Sequence, residues 1–150
     1  MKKESLYLDT SVISAYYDLR DLAIYELTQT FWQSLPLYDV YVSEIVLDEL
    51  TAIPDPALRQ KFFDLIVEIK VLEITDKERA LSNEYMKHGI IPPKYKDDAL
   101  QLAVATTYEI NYFISWNMEH LVKVKTRRMV NLINLEKGYR TVEIITPGEL

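Results

Sequence analysis

The chain has 150 residues, a net charge of −6, a hydrophobic fraction of 49% and no cysteine. That length and apolar content suit one globular domain and exclude a disordered chain. The missing cysteines exclude disulfides, thiol catalysis and cysteine-ligated zinc or iron–sulfur sites. Charge is unevenly spread: residues 1–119 carry 11 basic against 20 acidic side chains, whereas residues 120–140 carry six basic against one acidic. A protein of acidic average can thus offer a local basic stripe, which either meets phosphates or forms a solvated helix face.

The opening Met1-Lys2-Lys3-Glu4 leads into a short run, Ser5 to Leu8, that Asp9 ends. It is too brief for a signal peptide, and no stretch approaches the roughly 20 apolar residues of a membrane span. A cytoplasmic location without membrane contact is the expectation. Leu6-Tyr7-Leu8 is a predicted buried strand. Ile24, Leu27 and Phe31 recur at helical spacing and predict a helix over 21–35. Asp39–Val42 is a second strand, and Ser43 is placed to N-cap a helix through Leu50. Pro54 and Pro56 punctuate before a helix over 58–67 and a strand over 71–74. Thr75 and Glu78 form a capping box for another helix, which His88-Gly89 ends. Ile90–Lys96, with Pro92-Pro93, is a loop before a helix over 97–109. Tyr112–Ser115 is a strand, Val130–Glu136 a helix stopped by Gly138, and Thr141–Ile145 a last strand before Pro147. Strands separated by helices imply one α/β domain over 1–150, with a mostly parallel central sheet of four to five strands and helices on both faces. The chain has only three glycines. It therefore has no Gly-rich loop of the Walker or dinucleotide-binding type.

Ligands of open α/β sheets sit beyond the carboxyl ends of the strands. The first strand ends at Asp9, followed by Thr10-Ser11. After the second come Ser43, Glu44, Asp48 and Glu49. The Pro92-Pro93 loop delivers Asp97 and Asp98 to a helix start, and the fourth strand ends in Ser115-Trp116-Asn117, with Glu119 beyond. Crowded carboxylates repel one another unless a cation compensates. Mg²⁺ and Mn²⁺ are hard ions that prefer such oxygen donors, activate water and polarise phosphoryl oxygens. The pattern suits metal-assisted phosphodiester hydrolysis better than Ser-His-Asp chemistry, for which only His88 and His120 are at hand. Each residue also has a structural explanation. Asp9 can be an N-cap, Asp98 can answer a helix dipole, and Glu49 can be a solvated helix residue. Ser11 either bonds a metal-bound water or helps cap the first helix, and the cap is favoured. His120 and Trp116 are expected to be structural.

At these residues the sequence resembles the PIN-domain family, especially its VapC-like toxin nucleases. The carriers are Leu8-Asp9-Thr10-Ser11, Val42-Ser43 with Leu47-Asp48-Glu49-Leu50, Asp98-Ala99-Leu100-Gln101-Leu102-Ala103, Phe113-Ile114-Ser115-Trp116-Asn117 and Ile145-Thr146-Pro147. They span essentially the whole chain in the family's order. The resemblance implies a three-layer α/β/α fold, a Mg²⁺ or Mn²⁺ cofactor and endoribonuclease activity on single-stranded RNA, as the toxin of a toxin–antitoxin pair. Position by position, it makes Asp9, Glu49 and Asp98 the metal ligands or their supports. Asn117 falls at the fourth position, where many members carry Asp. An amide brings no charge there, which puts a second metal ion in question. Glu119 is a substitute for that position, and Asp97 competes with Asp98. A cognate antitoxin and a homodimer are implied partners. The rival expectation, prompted by Asn117 and the acidic surface, is a catalytically weak or inactive RNA-binding or protein-interaction module. A receiver-like phosphoacceptor domain would need an acidic pair after strand one and a Lys after its last strand, and neither is present.

Overall fold

The structure is a computed structural model that describes residues 2–150. Five strands, β1 (Ser5–Leu8), β2 (Asp39–Ser43), β3 (Lys70–Leu72), β4 (Tyr112–Ile114) and β5 (Glu143–Ile145), form one sheet in the order β3-β2-β1-β4-β5. Every pairing is parallel, with Tyr7 of β1 in register with Tyr41 of β2 and Phe113 of β4. Seven helices connect and flank the strands: α1 (Thr10–Ala15), α2 (Leu22–Ser34), α3 (Glu44–Thr51), α4 (Pro56–Leu65), α5 (Asp76–Lys87), α6 (Lys96–Thr107) and α7 (Val124–Glu136). Alternation along β1 divides the core. Leu6 and Leu8 point to one face and pack with Val12 and Ile13 of α1, Phe31 of α2, Val46 and Leu50 of α3 and Phe62 of α4. Tyr7 points to the other and packs with Leu81 and Tyr85 of α5, Leu102 and Ala103 of α6, and Val130 and Ile133 of α7. The result is a three-layer α/β/α sandwich. Each fully buried Leu or Ile stabilises it by about 1.5–3 kcal/mol.

Local chemistry explains where the expected elements appear and where they shift. Asp21 caps α2 by accepting from Ile24 N–H at 3.2 Å, and the Thr75–Glu78 capping box forms as its sequence requires. α4 starts earlier than expected, because Asp55 accepts from Ala57 and Leu58 N–H and Pro56 suits the first helical position. β3 is shorter than expected, at Lys70–Leu72. The Pro92-Pro93 loop contains a 3₁₀ turn, Pro93–Tyr95, that runs into α6. Two helices differ more. α1 follows Asp9 directly, although its β-branched residues favour a strand; burial of Val12, Ile13 and Ala15 overrides that propensity. α7 begins at Val124 rather than near Val130, so the basic residues Lys125, Arg127 and Arg128 lie in its first turns.

Candidate active site

The sheet order reverses direction at β1, between β2 and β4, so a crevice opens beyond their carboxyl ends. Asp9 stands at that point. Its backbone occupies the N-cap position of α1, but its side chain makes no capping bond. Instead the buried carboxylate accepts two hydroxyl bonds on Oδ2, from Ser11 at 2.6 Å and Ser115 at 2.7 Å. Ser11 therefore serves Asp9 and accepts from Trp116 N–H at 3.0 Å, rather than capping α1 as expected. Ser115, buried at the end of β4, also accepts from Asn117 N–H at 2.9 Å.

Glu49 reaches the crevice from α3. Thr10 Oγ1 donates to its Oε1 at 2.9 Å, and Gln101 Nε2 donates to the same oxygen at 3.2 Å. Desolvation is the main reason that its carboxyl is pushed from 4.5 up to about 7. Charges on Asp9, Asp97 and Asp98 add to the shift, and the Thr10 hydroxyl opposes it. Glu49 is nevertheless an exposed residue, so solvent screens part of this effect. Asp98, in the first turn of α6, is likewise raised from 3.8 to about 6, first by desolvation and then by Asp9 and Asp97, against the Asn117 amide. Asn117 Nδ2 donates to Asp98 Oδ2 at 3.2 Å, while its Oδ1 accepts from His120 N–H at 3.1 Å. The amide thus holds a carboxylate with one end and a backbone turn with the other.

The three acids share a pattern. Among the described residues, Asp9, Glu49 and Asp98 each engage side-chain donors through one carboxylate oxygen and leave the other without a protein partner. Glu44 and Glu119 are not part of this set. Glu44 Oε1 accepts from Ile74 N–H at 2.7 Å and so secures α3 to the chain after β3. Glu119 is exposed and faces His120 Nε2 at 3.8 Å. Asp97 is exposed, but its charge reaches both Glu49 and Asp98. His120 packs on Tyr95 with ring centroids 4.0 Å apart, and Trp116 Nε1 donates to Thr28 at 3.0 Å, both structural roles as expected. Thr10, Gln101, Ser115 and Tyr7 support the acids, and no reading of the sequence assigns them that role. Gln101 lies one turn beyond Asp98 on the same helix face, and that spacing is the one signal that points to it.

Among the described residues, no three carboxylate, imidazole or thiol side chains stand close enough to enclose one ion as placed. The donor chemistry nevertheless fits a hard divalent cation: all donors are oxygens, and two carboxyls are destabilised as anions partly by like charge. Mg²⁺ in particular retains several waters and needs only one or two direct carboxylates, so a set wider than a closed cage meets its demands. Asp9, Glu49 and Asp98 are the residues that could hold it.

The fold and the motifs have counterparts among known proteins. Three solved structures align over nearly their full length. VapBC2 from Rickettsia felis, bound to a DNA fragment from its promoter, is 12% identical, with 95% of this chain and 98% of that one covered and a TM-score of 0.58. A toxin–antitoxin complex from Klebsiella pneumoniae is 14% identical, covering 81% and 93%, with a TM-score of 0.60. VapBC-5 from Mycobacterium tuberculosis, a member of the VapBC family of toxin–antitoxin systems, is 18% identical, covering 95% and 98%, with a TM-score of 0.57. At such identities the likeness is one of fold. No curated protein is significantly similar in sequence. The PIN-domain family model matches residues 6–118, a span that contains Asp9, Glu49, Asp98 and Asn117. The chain belongs to the PIN-domain family.

Proposed function

We propose that this PIN domain is a Mg²⁺- or Mn²⁺-dependent endoribonuclease that cuts single-stranded RNA, acting in the cytoplasm as the toxin of a toxin–antitoxin pair. The observation that carries the chemistry is the set of three carboxylates from β1, α3 and α6, each tied through one oxygen and open at the other. When bound there, a hard divalent ion supplies water activation and neutralises charge developing on a phosphodiester. The chain's own groups prepare for this. Ser11 and Ser115 fix the Asp9 carboxylate from one side. Thr10 and Gln101 occupy Glu49 Oε1 and leave Oε2 without a protein partner. Asn117 steadies Asp98 without adding charge. The fold neighbours from toxin–antitoxin complexes support the toxin role and a cognate antitoxin as partner. No helix among the described residues is long and apolar enough to cross a membrane. A homodimer completes the proposal, and light scattering tests it.

The test is cleavage of a labelled single-stranded RNA with Mn²⁺ and with EDTA. Asp9→Asn, Glu49→Gln and Asp98→Asn should each lower the metal-dependent rate by at least about a hundredfold. Asp97→Asn should be milder than Asp98→Asn, because Asp97 acts only through its field. Near wild-type turnover in any of the first three removes that residue from the site. Asn117, neutral at the fourth position, favours a second reading, a PIN-like binding module of weak or no activity. RNA binding without any metal-dependent cleavage would select it.

A further inference from the structure

Beneath Glu49 lies a buried chain of side-chain hydrogen bonds that neither packing nor capping requires. Ser43 ends β2 at the N-cap position of α3, yet its hydroxyl makes no capping bond. It bonds Tyr7 Oη at 2.7 Å instead. Tyr7 Oη in turn donates to Gln101 Oε1 at 2.9 Å, and Gln101 Nε2 donates to Glu49 Oε1 at 3.2 Å. Tyr7 and Ser43 are fully buried and Gln101 is nearly so, and a separate buried polar set, Tyr85, Thr106 and Asn134, lies elsewhere on that face. Polar groups buried this deeply are costly unless every one is satisfied. The directions are also fixed. Tyr7 donates to Gln101, so Ser43 must donate to Tyr7. The Gln101 carbonyl is then taken, and only its NH₂ can face Glu49. The line runs from β2 through β1 to α6 and ends on a carboxylate of α3.

We infer that Gln101, held by Tyr7 and Ser43, is a positioning residue: it pins Glu49 by Oε1 and so presents Oε2 to the cation. The inference rests on the metal-dependent site proposed above. Gln101 touches neither ion nor substrate in this scheme. It acts as the hydrogen-bonded partners behind metal ligands commonly do, and their loss typically costs 10–100-fold in metal affinity.

The experiment is calorimetric titration of the full chain with Mn²⁺, paired with melting of each metal-free protein. Gln101→Met keeps the volume and removes both bonds. It should weaken Mn²⁺ binding about 10–100-fold, and the metal-free protein should melt lower because Tyr7 Oη loses its buried acceptor. Tyr7→Phe keeps the ring in the core and leaves Gln101 in contact with Glu49 but unanchored, so it should weaken binding by a smaller factor. If Gln101→Met does not fold, Tyr7→Phe decides. Wild-type affinity in the folded variant, or in Tyr7→Phe when it is the one that decides, overturns the positioning role and leaves the metal site standing. No Mn²⁺ binding by the wild type overturns the metal site and this inference together.

Discussion

Glu49 and Asp98 make the site measurable without a substrate. Both carboxyls have higher pKa values in the fold than in an unfolded chain, rising from 4.5 to about 7 and from 3.8 to about 6. Between those limits the folded protein binds more protons than the unfolded one. The associated stability is therefore fully present below about pH 4 and is lost as pH climbs through 6 and 7. In EDTA, the melting temperature should fall from about pH 5 to about pH 7.5 with respect to these groups. Glu49→Gln and Asp98→Asn should each flatten that slope, and an unchanged slope in both would place the responsible groups elsewhere. Asn117 gives a second residue-level expectation. Its two ends need opposite chemistry, a donor for Asp98 Oδ2 and an acceptor for His120 N–H. Asn117→Asp keeps the acceptor but sets a carboxylate against Asp98. The metal-free variant should melt lower near neutral pH, and Mn²⁺ should bind it more tightly, because the ion relieves the added repulsion. Calorimetric titration of both proteins checks this, and equal affinities would mean that position 117 does not face the cation.

At the scale of elements, the N-terminus of α7 carries the basic stripe to the carboxyl edge of the sheet. Lys123 occupies the N-cap without a side-chain capping bond, Lys125, Arg127 and Arg128 follow, and the first turn holds no acid. Cations at the positive end of a helix dipole are unfavourable unless an anion approaches. Asn117 O accepts from Leu121 and Val122 N–H, which joins this helix start to the acidic crevice. On the nuclease proposal, α7 meets the RNA backbone. Lys125→Glu with Arg128→Glu, both at exposed positions, should weaken binding of single-stranded RNA in EDTA. The pair should also make the slope of log K against log salt shallower, by roughly 0.7 for each phosphate no longer neutralised. An unchanged slope in anisotropy titrations would leave the stripe as a solvated face. The stripe is legible in the sequence but its location is not, because Lys123 to Arg128 show no apolar period and the helix reads as beginning at Val130. Caps show a similar limit. The Thr75–Glu78 box forms as expected and Asp21, the expected start of α2, turns out to be its cap, since only local backbone competes for them. Asp9 and Ser43 have the same local pattern but direct their side chains to Ser115 and Tyr7, partners 106 and 36 residues distant. Local pattern finds the acids; tertiary contact alone reveals what holds them.

At the scale of the molecule, the three carboxylates do not belong to one layer. Glu49 rides on α3, which packs against the Leu6 and Leu8 face, whereas Asp98 rides on α6, which packs against the Tyr7 face. Asp9 sits between them at the end of the central strand. On the nuclease proposal, a divalent cation shared by these groups would tie both outer layers to the sheet edge and would bind only where all three elements are folded. Ligand binding to the folded state alone stabilises it by mass action, about 2.7 kcal/mol at a free concentration near 100 times Kd. For a domain of this size such a gain corresponds to roughly 5–10 °C in melting temperature. Saturating Mn²⁺ should therefore raise the melting temperature of the wild type by about that amount, and EDTA should reverse it. Asp9→Asn should lose most of the shift, because it removes charge at the one position common to both layers. Glu119→Gln should keep all of it, since Glu119 faces solvent beside His120. Equal shifts in wild type and Asp9→Asn would put the bound ion outside the crevice, in which the Gln101–Glu49 hydrogen bond still ties α6 to α3.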